Sequence, residues 1–118
     1  MVTKEVVAAL AALAQGTRLA VFRLLVQQGP TGLAAGEIAA KLDLAPATLS
    51  FHLKELNRAG LVSPRQDGRF IYYAADYSAM NELIGFLTEN CCAADCTSCG
   101  PATVASPKSR KTRRKEKA

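Results

Sequence analysis

The 118-residue sequence predicts a mainly α-helical fold with one small β-hairpin. Apolar residues recur at three- and four-residue spacing in several segments, as on the buried face of a helix. The stretch LVSPRQDGRFIYYAA is instead rich in Val, Ile, Phe and Tyr around an Asp-Gly pair, which is typical of two strands joined by a tight turn. Because Trp is absent and aromatics are few, the core must consist mostly of Leu, Val and Ala.

The first two helices are predicted from apolar spacing near the N-terminus. Thr3 to Ala14 forms the first helix, with the apolar positions Val6, Val7, Leu10 and Leu13. Gly16 interrupts the pattern, and Thr17 is predicted to cap a second helix. That helix runs through RLAVFRLLVQQ to the stop signal Gly29-Pro30.

A short third helix and a longer fourth helix follow. TGLAAG predicts a loop, and Glu37 to Leu42 predicts the third helix. After a turn at Asp43-Leu44-Ala45, the fourth helix runs from Pro46 to Arg58, with proline at its first position. Gly60 is predicted to close it.

The hairpin and a fifth helix complete the predicted domain. Pro64 lies inside the first strand and marks it as an edge strand. Asp76 is the predicted N-cap of the last helix, whose apolar stripe is Met80, Leu83, Ile84 and Leu87. The order is therefore α-α-α-α-β-β-α, with two short helices joined by a tight turn and followed by a basic hairpin. This is the winged helix-turn-helix arrangement.

The positive charge is concentrated in the C-terminal tail. Lys108 to Ala118 holds seven basic residues and one acidic residue, a net +6, whereas the other 107 residues hold eight basic and nine acidic residues, a net −1. The tail lacks the apolar residues needed to fold, and its charge suits non-specific attraction to nucleic acid. Solubilisation is the alternative role. The predicted boundaries are 1–90 for the folded domain, 91–100 for a cysteine-rich segment and 101–118 for a disordered basic tail.

The expected location is the cytoplasm. The start, MVTKEVV, lacks the basic and apolar regions of a secretory signal, and no stretch approaches the roughly eighteen apolar residues of a membrane span. In a reducing compartment, clustered cysteines indicate metal binding or redox activity rather than structural disulfides.

The fourth helix is predicted to read DNA. On a wheel of about 100° per residue, Leu49, Leu53 and Leu56 form a stripe that must face the core. The opposite face offers small residues for close approach, polar groups for base edges and a cation for phosphate, and the exposed aromatic there could pack on a thymine methyl. Two wing arginines are placed to reach phosphates or the minor groove. The predicted DNA contacts are Ala47, Thr48, Ser50, Phe51, His52, Lys54, Arg65 and Arg69.

His52, the only histidine, has a second interpretation. It lies at the edge of the leucine stripe, which favours a partly buried, hydrogen-bonded side chain that supports the helix over a metal ligand. No serine or cysteine is placed to work with it in hydrolytic catalysis. The sequence therefore predicts that the protein is not an enzyme.

The fourth helix and hairpin resemble the recognition helix and wing of the ArsR/SmtB family of metal-sensing bacterial repressors, and QGTRLAVFRLL is similar to the family's second helix. The matching runs are Ser50-x-His52-Leu53, Ala59-Gly60-Leu61-Val62 and Gly68-Arg69-x-x-Tyr72-Tyr73. The resemblance covers roughly residues 5 to 90. It implies a homodimer, joined through the first and last helices, that blocks transcription at double-stranded operator DNA until an inducer ion binds. The family's two usual metal sites are missing, because GEIAAKLDL has no cysteine and DYSAMNELIGFLTEN has no histidine.

All four cysteines lie in NCCAADCTSCG, at Cys91, Cys92, Cys96 and Cys99. Thiolates select soft ions, and trivalent arsenic or antimony prefers three sulfurs. The cluster resembles the vicinal cysteine pair with a later cysteine that follows the last helix in some arsenite-responsive members of the family. A loop here would let Cys91 and Cys92 both bind, with Cys96 or Cys99 as third ligand. A continued helix would instead place Cys92, Cys96 and Cys99 on one face. Asp95, Thr97, Ser98 and Gly100-Pro101 favour ending the helix, so the loop is the prediction, with the third ligand left open.

The predicted function is thus an arsenite-responsive repressor, and three other interpretations of the cysteines remain. All four could hold zinc, although two adjacent ligands among nine residues would strain a tetrahedral site. The same thiols could serve an iron–sulfur or disulfide redox sensor on the same DNA-binding domain. A two-thiol site would suit a methylated arsenical.

Overall fold

The structure, a computed structural model, describes residues 1–93. Within that range the chain forms five α-helices and a three-stranded antiparallel sheet, and residues 1–87 make one compact unit. The elements in order are α1 (Thr3–Leu13), α2 (Gly16–Gln28), β1 (Leu33–Ala34), α3 (Ala35–Leu42), α4 (Pro46–Arg58), β2 (Val62–Asp67), β3 (Phe70–Ala75) and α5 (Tyr77–Thr88). The predicted mainly helical fold with a wing is confirmed.

The segment TGLAAG is more ordered than the predicted loop. It contains β1, which pairs with β3 through Leu33↔Tyr73 and gives the sheet the order β1-β3-β2. Leu33 is buried, so the short strand both closes one edge of β3 and covers the core. Helix α3 begins two residues before the predicted Glu37, because the Glu37 carboxylate accepts a hydrogen bond from the Ala34 N–H at 2.9 Å within the first turn.

Gln15, and not Thr17, caps α2. The Gln15 side-chain oxygen accepts a hydrogen bond from the Arg18 N–H at 2.8 Å, so the helix begins at Gly16. The predicted cap was wrong by two residues because the longer glutamine side chain reaches the same orphan N–H groups.

The core is built from aliphatic residues of every helix and of the sheet. The predicted leucine stripe of α4 is buried, and each such side chain contributes about 1.5–3 kcal/mol on leaving water. The largest fully buried side chains are Leu25, Ile38, Leu49, Leu56, Leu61, Val21 and Val62. This packing fixes the back of α4 and leaves its front uncovered.

The wing is the hairpin of β2 and β3. The pairing runs from Val62↔Ala75 to Asp67↔Phe70, and Gly68 in the turn has a φ of 67°. Asp67, predicted as part of the turn, is the last residue of β2 instead. Strand β2 lies at an edge of the sheet, as Pro64 predicts.

Helix α5 is fixed at its start by two side chains. Asp76 caps it as predicted, since its Oδ1 accepts a hydrogen bond from the Ala79 N–H at 3.0 Å. The Tyr77 hydroxyl donates to the Val26 carbonyl at 2.9 Å, in the last turn of α2 where carbonyls lack helical partners. The hydrogen bond therefore ties the start of α5 to the end of α2.

Tyr77→Phe is expected to lower the free energy of unfolding by about 1 kcal/mol, because the Val26 carbonyl loses its donor. Urea denaturation followed by circular dichroism measures the change. Tyr72→Phe in the wing is the control and should change stability by less than about 0.5 kcal/mol. Equal losses in the two variants would show that the hydroxyl of Tyr77 contributes nothing specific.

No single helix in residues 1–93 is long and apolar enough to cross a membrane; α1 and α2 together have the length and composition, but the chain bends by 103° between them.

Candidate functional site

One face of α4 is open to solvent. Ala47, Ser50 and Lys54 are exposed there, and Thr48 at the edge of this face is exposed too. Phe51 lies among them with 56% of its surface exposed. The face combines small, hydroxyl, aromatic and cationic side chains, which suits insertion into a major groove. The helical wheel correctly predicted Ala47, Ser50, Phe51 and Lys54 as solvent-facing.

His52 differs from the rest of the predicted DNA contacts. Only 8% of its surface is exposed, since the imidazole lies beside the buried leucine stripe. Its Nδ1 is 3.4 Å from Nη1 of Arg18, and its ring lies edge-on to the Phe51 ring with 5.4 Å between centroids. The prediction of a partly buried, hydrogen-bonded histidine is confirmed. A direct contact of His52 with a base would require it to leave this position.

The two predicted wing arginines have different surroundings. The Arg65 guanidinium lies over the Tyr72 ring at 5.1 Å and donates to the Thr31 carbonyl at 3.3 Å, so it is held against the sheet. Arg69 follows Gly68 in the turn, and its side chain makes no hydrogen bond or ion pair within residues 1–93. Arg69 is therefore the wing cation that is available to a phosphate group. The exposed Phe70 beside it was not among the predicted contacts.

Arg18 is a second residue that the sequence did not single out. Its Nε donates to the Ala12 carbonyl at 2.7 Å, and its Nη1 lies 3.4 Å from His52 Nδ1 on α4. One feature of the sequence could have identified it: Arg18 lies in the first turn of α2, where the helix dipole disfavours a cation. An arginine at such a position needs a compensating contact elsewhere.

The cysteine pair belongs to the unit of the chain that begins at Thr88. Two backbone hydrogen bonds fold the chain there, from the Cys91 N–H to the Thr88 carbonyl at 2.8 Å and from the Ala93 N–H to the Asn90 carbonyl at 3.0 Å. Cys91 and Cys92 lie in this turn after the end of α5, as the loop interpretation requires. Their Sγ atoms are 3.5 Å apart, longer than the ~2.05 Å of a disulfide bond, so the two are not joined in a disulfide.

The remaining predicted ligands, Cys96 and Cys99, lie outside the described residues, as does the basic tail. Within residues 1–93, no three His, Cys, Asp or Glu side chains come together to hold a metal ion. A three-sulfur site therefore needs Cys96 or Cys99 in addition to the pair.

The chain is similar to known helix-turn-helix proteins and transcriptional regulators. Residues 13–65 match the helix-turn-helix domain family. The chain is 35% identical to nodulation protein NolR of Rhizobium meliloti over 68% of its length, and spans 63% of NolR, less than two thirds of that protein. It is 39% identical to the HTH-type regulator YceK of Bacillus subtilis, over 64% of this chain and 76% of YceK. It is 30% identical to the transcriptional activator HlyU of Vibrio cholerae, over 77% of this chain and 82% of HlyU.

Solved structures show the same likeness. An ArsR-like regulator from Rhodococcus sp. superposes with a TM-score of 0.64 at 28% identity, covering 71% of this chain and 76% of that one. A possible transcriptional regulator for arsenical resistance gives 0.59 at 34% identity, with 67% and 79% covered. The homodimeric winged helix-turn-helix domain of Mb0332 from Mycobacterium bovis, a possible ArsR-family regulator, gives 0.59 at 30% identity, with 74% and 81% covered.

Proposed function

The chain belongs to the ArsR/HlyU family of helix-turn-helix transcriptional regulators, and from that premise we propose that it is a homodimeric repressor released from operator DNA by trivalent arsenic. The observation that carries the proposal is the thiol pair. Cys91 and Cys92 follow α5 within four residues, with their sulfurs 3.5 Å apart. Two adjacent thiols in a turn are ready to bind one soft ion together.

The DNA-bound state uses α4 and the wing. Each subunit places the exposed face of α4 in a major groove, with Ser50 and Phe51 at base edges and Lys54 at phosphate. Arg69 at the wing turn contacts the neighbouring backbone. In a dimer the two helices meet successive grooves about 34–36 Å apart, so the operator is an imperfect palindrome.

The dimer forms through α1 and α5. On α1, Val6 and Ala9 are buried in the core, yet Val7 and Leu10 on its other side are exposed. Leu87 near the end of α5 is exposed as well. A helix that is apolar on both sides is normally covered on both sides, and a second copy of the chain supplies the cover. The homodimeric Mb0332 domain supports this assembly.

Arsenic suits the ligands that the chain offers. Thiolates prefer soft ions, and the proposed site has three of them: Cys91, Cys92 and either Cys96 or Cys99. Helix α3 contains no cysteine and α5 no histidine, so the segment after α5 is where sensing ligands are concentrated. The likeness to a possible regulator of arsenical resistance supports the same ion. Antimony has the same preference and is the expected second inducer.

The cysteines are coupled to DNA through α5. When three thiolates bind one ion, the chain immediately after this helix is restricted. This changes how α5 packs against the second subunit in the dimer. The distance between the two α4 helices then no longer matches successive grooves. Such coupling is typically about 1–3 kcal/mol, or about 5–150-fold in affinity, and DNA must weaken arsenic binding by the same factor.

Cys91→Ser and Cys92→Ser are each expected to bind operator DNA like the wild type but to lose the response to arsenite. Purified reduced protein is titrated with arsenite, zinc and peroxide in parallel while operator binding is followed by fluorescence anisotropy. The operator affinity of the wild type should fall by about 5–150-fold with arsenite and should not change with zinc or peroxide. Cys96→Ser and Cys99→Ser, tested separately, identify the third ligand. Tight arsenite binding to a wild type that keeps its full operator affinity would contradict the proposal.

The second candidate function is redox sensing by the same sulfurs. A separation of 3.5 Å allows Cys91 and Cys92 to approach one another on oxidation. In that case peroxide releases the operator and arsenite does not. A coloured protein that bleaches in air would indicate an iron–sulfur centre instead.

A further inference from the structure

Arg18 connects three helices. It belongs to α2, its Nε donates to the Ala12 carbonyl in the last turn of α1 at 2.7 Å, and its Nη1 lies 3.4 Å from His52 Nδ1 on α4. The Ala12 carbonyl is one of the orphan acceptors at a helix end, so the first bond anchors the guanidinium. The anchored group then reaches the one buried polar side chain of α4, the helix that faces DNA.

The contact with His52 defines the state of the imidazole. A guanidinium has donors only. A hydrogen bond across this 3.4 Å contact therefore requires His52 Nδ1 to accept, which favours the tautomer with its hydrogen on Nε2. A tautomer with hydrogen on Nδ1 would place two donors against each other.

His52 in turn contacts the DNA-facing surface. Its ring lies edge-on to Phe51 with 5.4 Å between centroids, a geometry that aromatic pairs favour. Phe51 is the large exposed side chain on that face of α4. A continuous path of contacts thus leads from the anchored arginine through the buried histidine to a side chain at the groove.

We propose that Arg18 is a positioning residue for sequence recognition: through His52 it holds Phe51, and with it α4, in the orientation that distinguishes operator from other DNA. The proposal rests on the DNA-binding part of the proposed function and is independent of the inducer. A purely structural arginine would stabilise the domain without changing its choice of DNA sequence. A positioning arginine changes that choice in folded protein.

The first test is the tautomer of His52 in untagged protein. Because His52 is the only histidine, its imidazole nitrogen-15 NMR signals need no assignment. The wild type should show hydrogen on Nε2 and an accepting Nδ1. Arg18→Met should shift the balance between the two tautomers. Identical spectra from wild type and Arg18→Met would overturn the proposed contact.

The second test is the ratio of operator affinity to affinity for random-sequence DNA, with an operator selected from a random duplex library by the wild type. Arg18→Met and His52→Phe should each lower this ratio by about tenfold, the loss expected for a hydrogen bond to a charged group. The double variant should lose no more than the larger single loss, because both changes remove one contact. Arg23→Met removes an exposed positive charge from the same helix and should leave the ratio unchanged.

A wild type that selects no sequence would refute the DNA-binding function itself. A wild type that selects an operator, with Arg18→Met folded and equally selective, would refute only the positioning role. Additive losses in the double variant would show that Arg18 and His52 act separately, which also refutes it.

Discussion

Gly32→Ala is expected to lower the free energy of unfolding by about 3 kcal/mol or more. Gly32 has a φ of 73°, and a Cβ built on it would lie 2.9 Å from the Tyr73 carbonyl carbon and closer still to its oxygen. The obstacle is backbone, so no side-chain rotation relieves it. Leu33 is paired with Tyr73 in the sheet, and moving the strands apart would break that pairing. The substitution therefore opposes the attachment of β1 to β3.

Gly60→Ala is the matched control. Gly60 also has a positive φ, 80°, but nothing lies within 4 Å of a Cβ at that position. Its cost should be only the left-handed backbone penalty of about 1–2 kcal/mol. Guanidinium denaturation gives the free energy of unfolding of each variant. The difference between the two losses reports the contact between residue 32 and the Tyr73 backbone, because the left-handed backbone penalty is common to both. Equal losses would mean that β1 shifts easily and that the contact between Gly32 and Tyr73 is not tight.

The parts of the fold that the sequence predicted are those with strong local signals. Helix α4 has the predicted bounds, because Pro46 favours a first helical position and the leucine stripe repeats with the helical period. Asp76 was identified as a cap for the same local reason. Strand β1 was missed because two residues show no periodicity, and the strand exists only where the free edge of β3 accepts it. Long-range pairing has no local signature of this kind.

The residues of the candidate site also divide into those with a local sequence signal and those set by tertiary packing. The exposed face of α4 follows from the helical wheel, since burial of Leu49 and Leu53 fixes which side remains outside. The contact between Arg18 and His52 joins residues 34 apart in sequence and depends on how α2 packs against α4. The sequence predicted the same role for Arg65 and Arg69. In the structure Arg65 donates a hydrogen bond to the carbonyl of Thr31, which lies just before β1, and is therefore held against the sheet. Tertiary packing decides which of the predicted basic residues remain available.

Leu10→Glu is expected to convert the proposed dimer into monomers. Leu10 lies on the exposed apolar side of α1, 41% exposed in the single subunit, where the second copy should cover it. In a two-fold interface each substitution occurs twice. Two carboxylates without partners would be buried at a combined cost of about 4 kcal/mol or more, which raises the dimer dissociation constant by about a thousandfold. Operator affinity should fall with it, because a monomer presents only one α4 helix to the palindrome.

Leu19→Glu controls for the change of residue type. Leu19 is 42% exposed, close to the 41% of Leu10, but it lies on α2 outside the proposed interface. The new carboxylate of Leu19→Glu therefore stays in water, and the dimer should persist. Sedimentation velocity over a range of protein concentrations gives the dissociation constant of each variant. A dimer that survives Leu10→Glu would place the interface elsewhere. The coupling from the cysteines would then have to reach α4 by a route other than the packing of α1 against α5. By any route, arsenic weakens operator binding only if it favours a state of the protein that binds the operator less well.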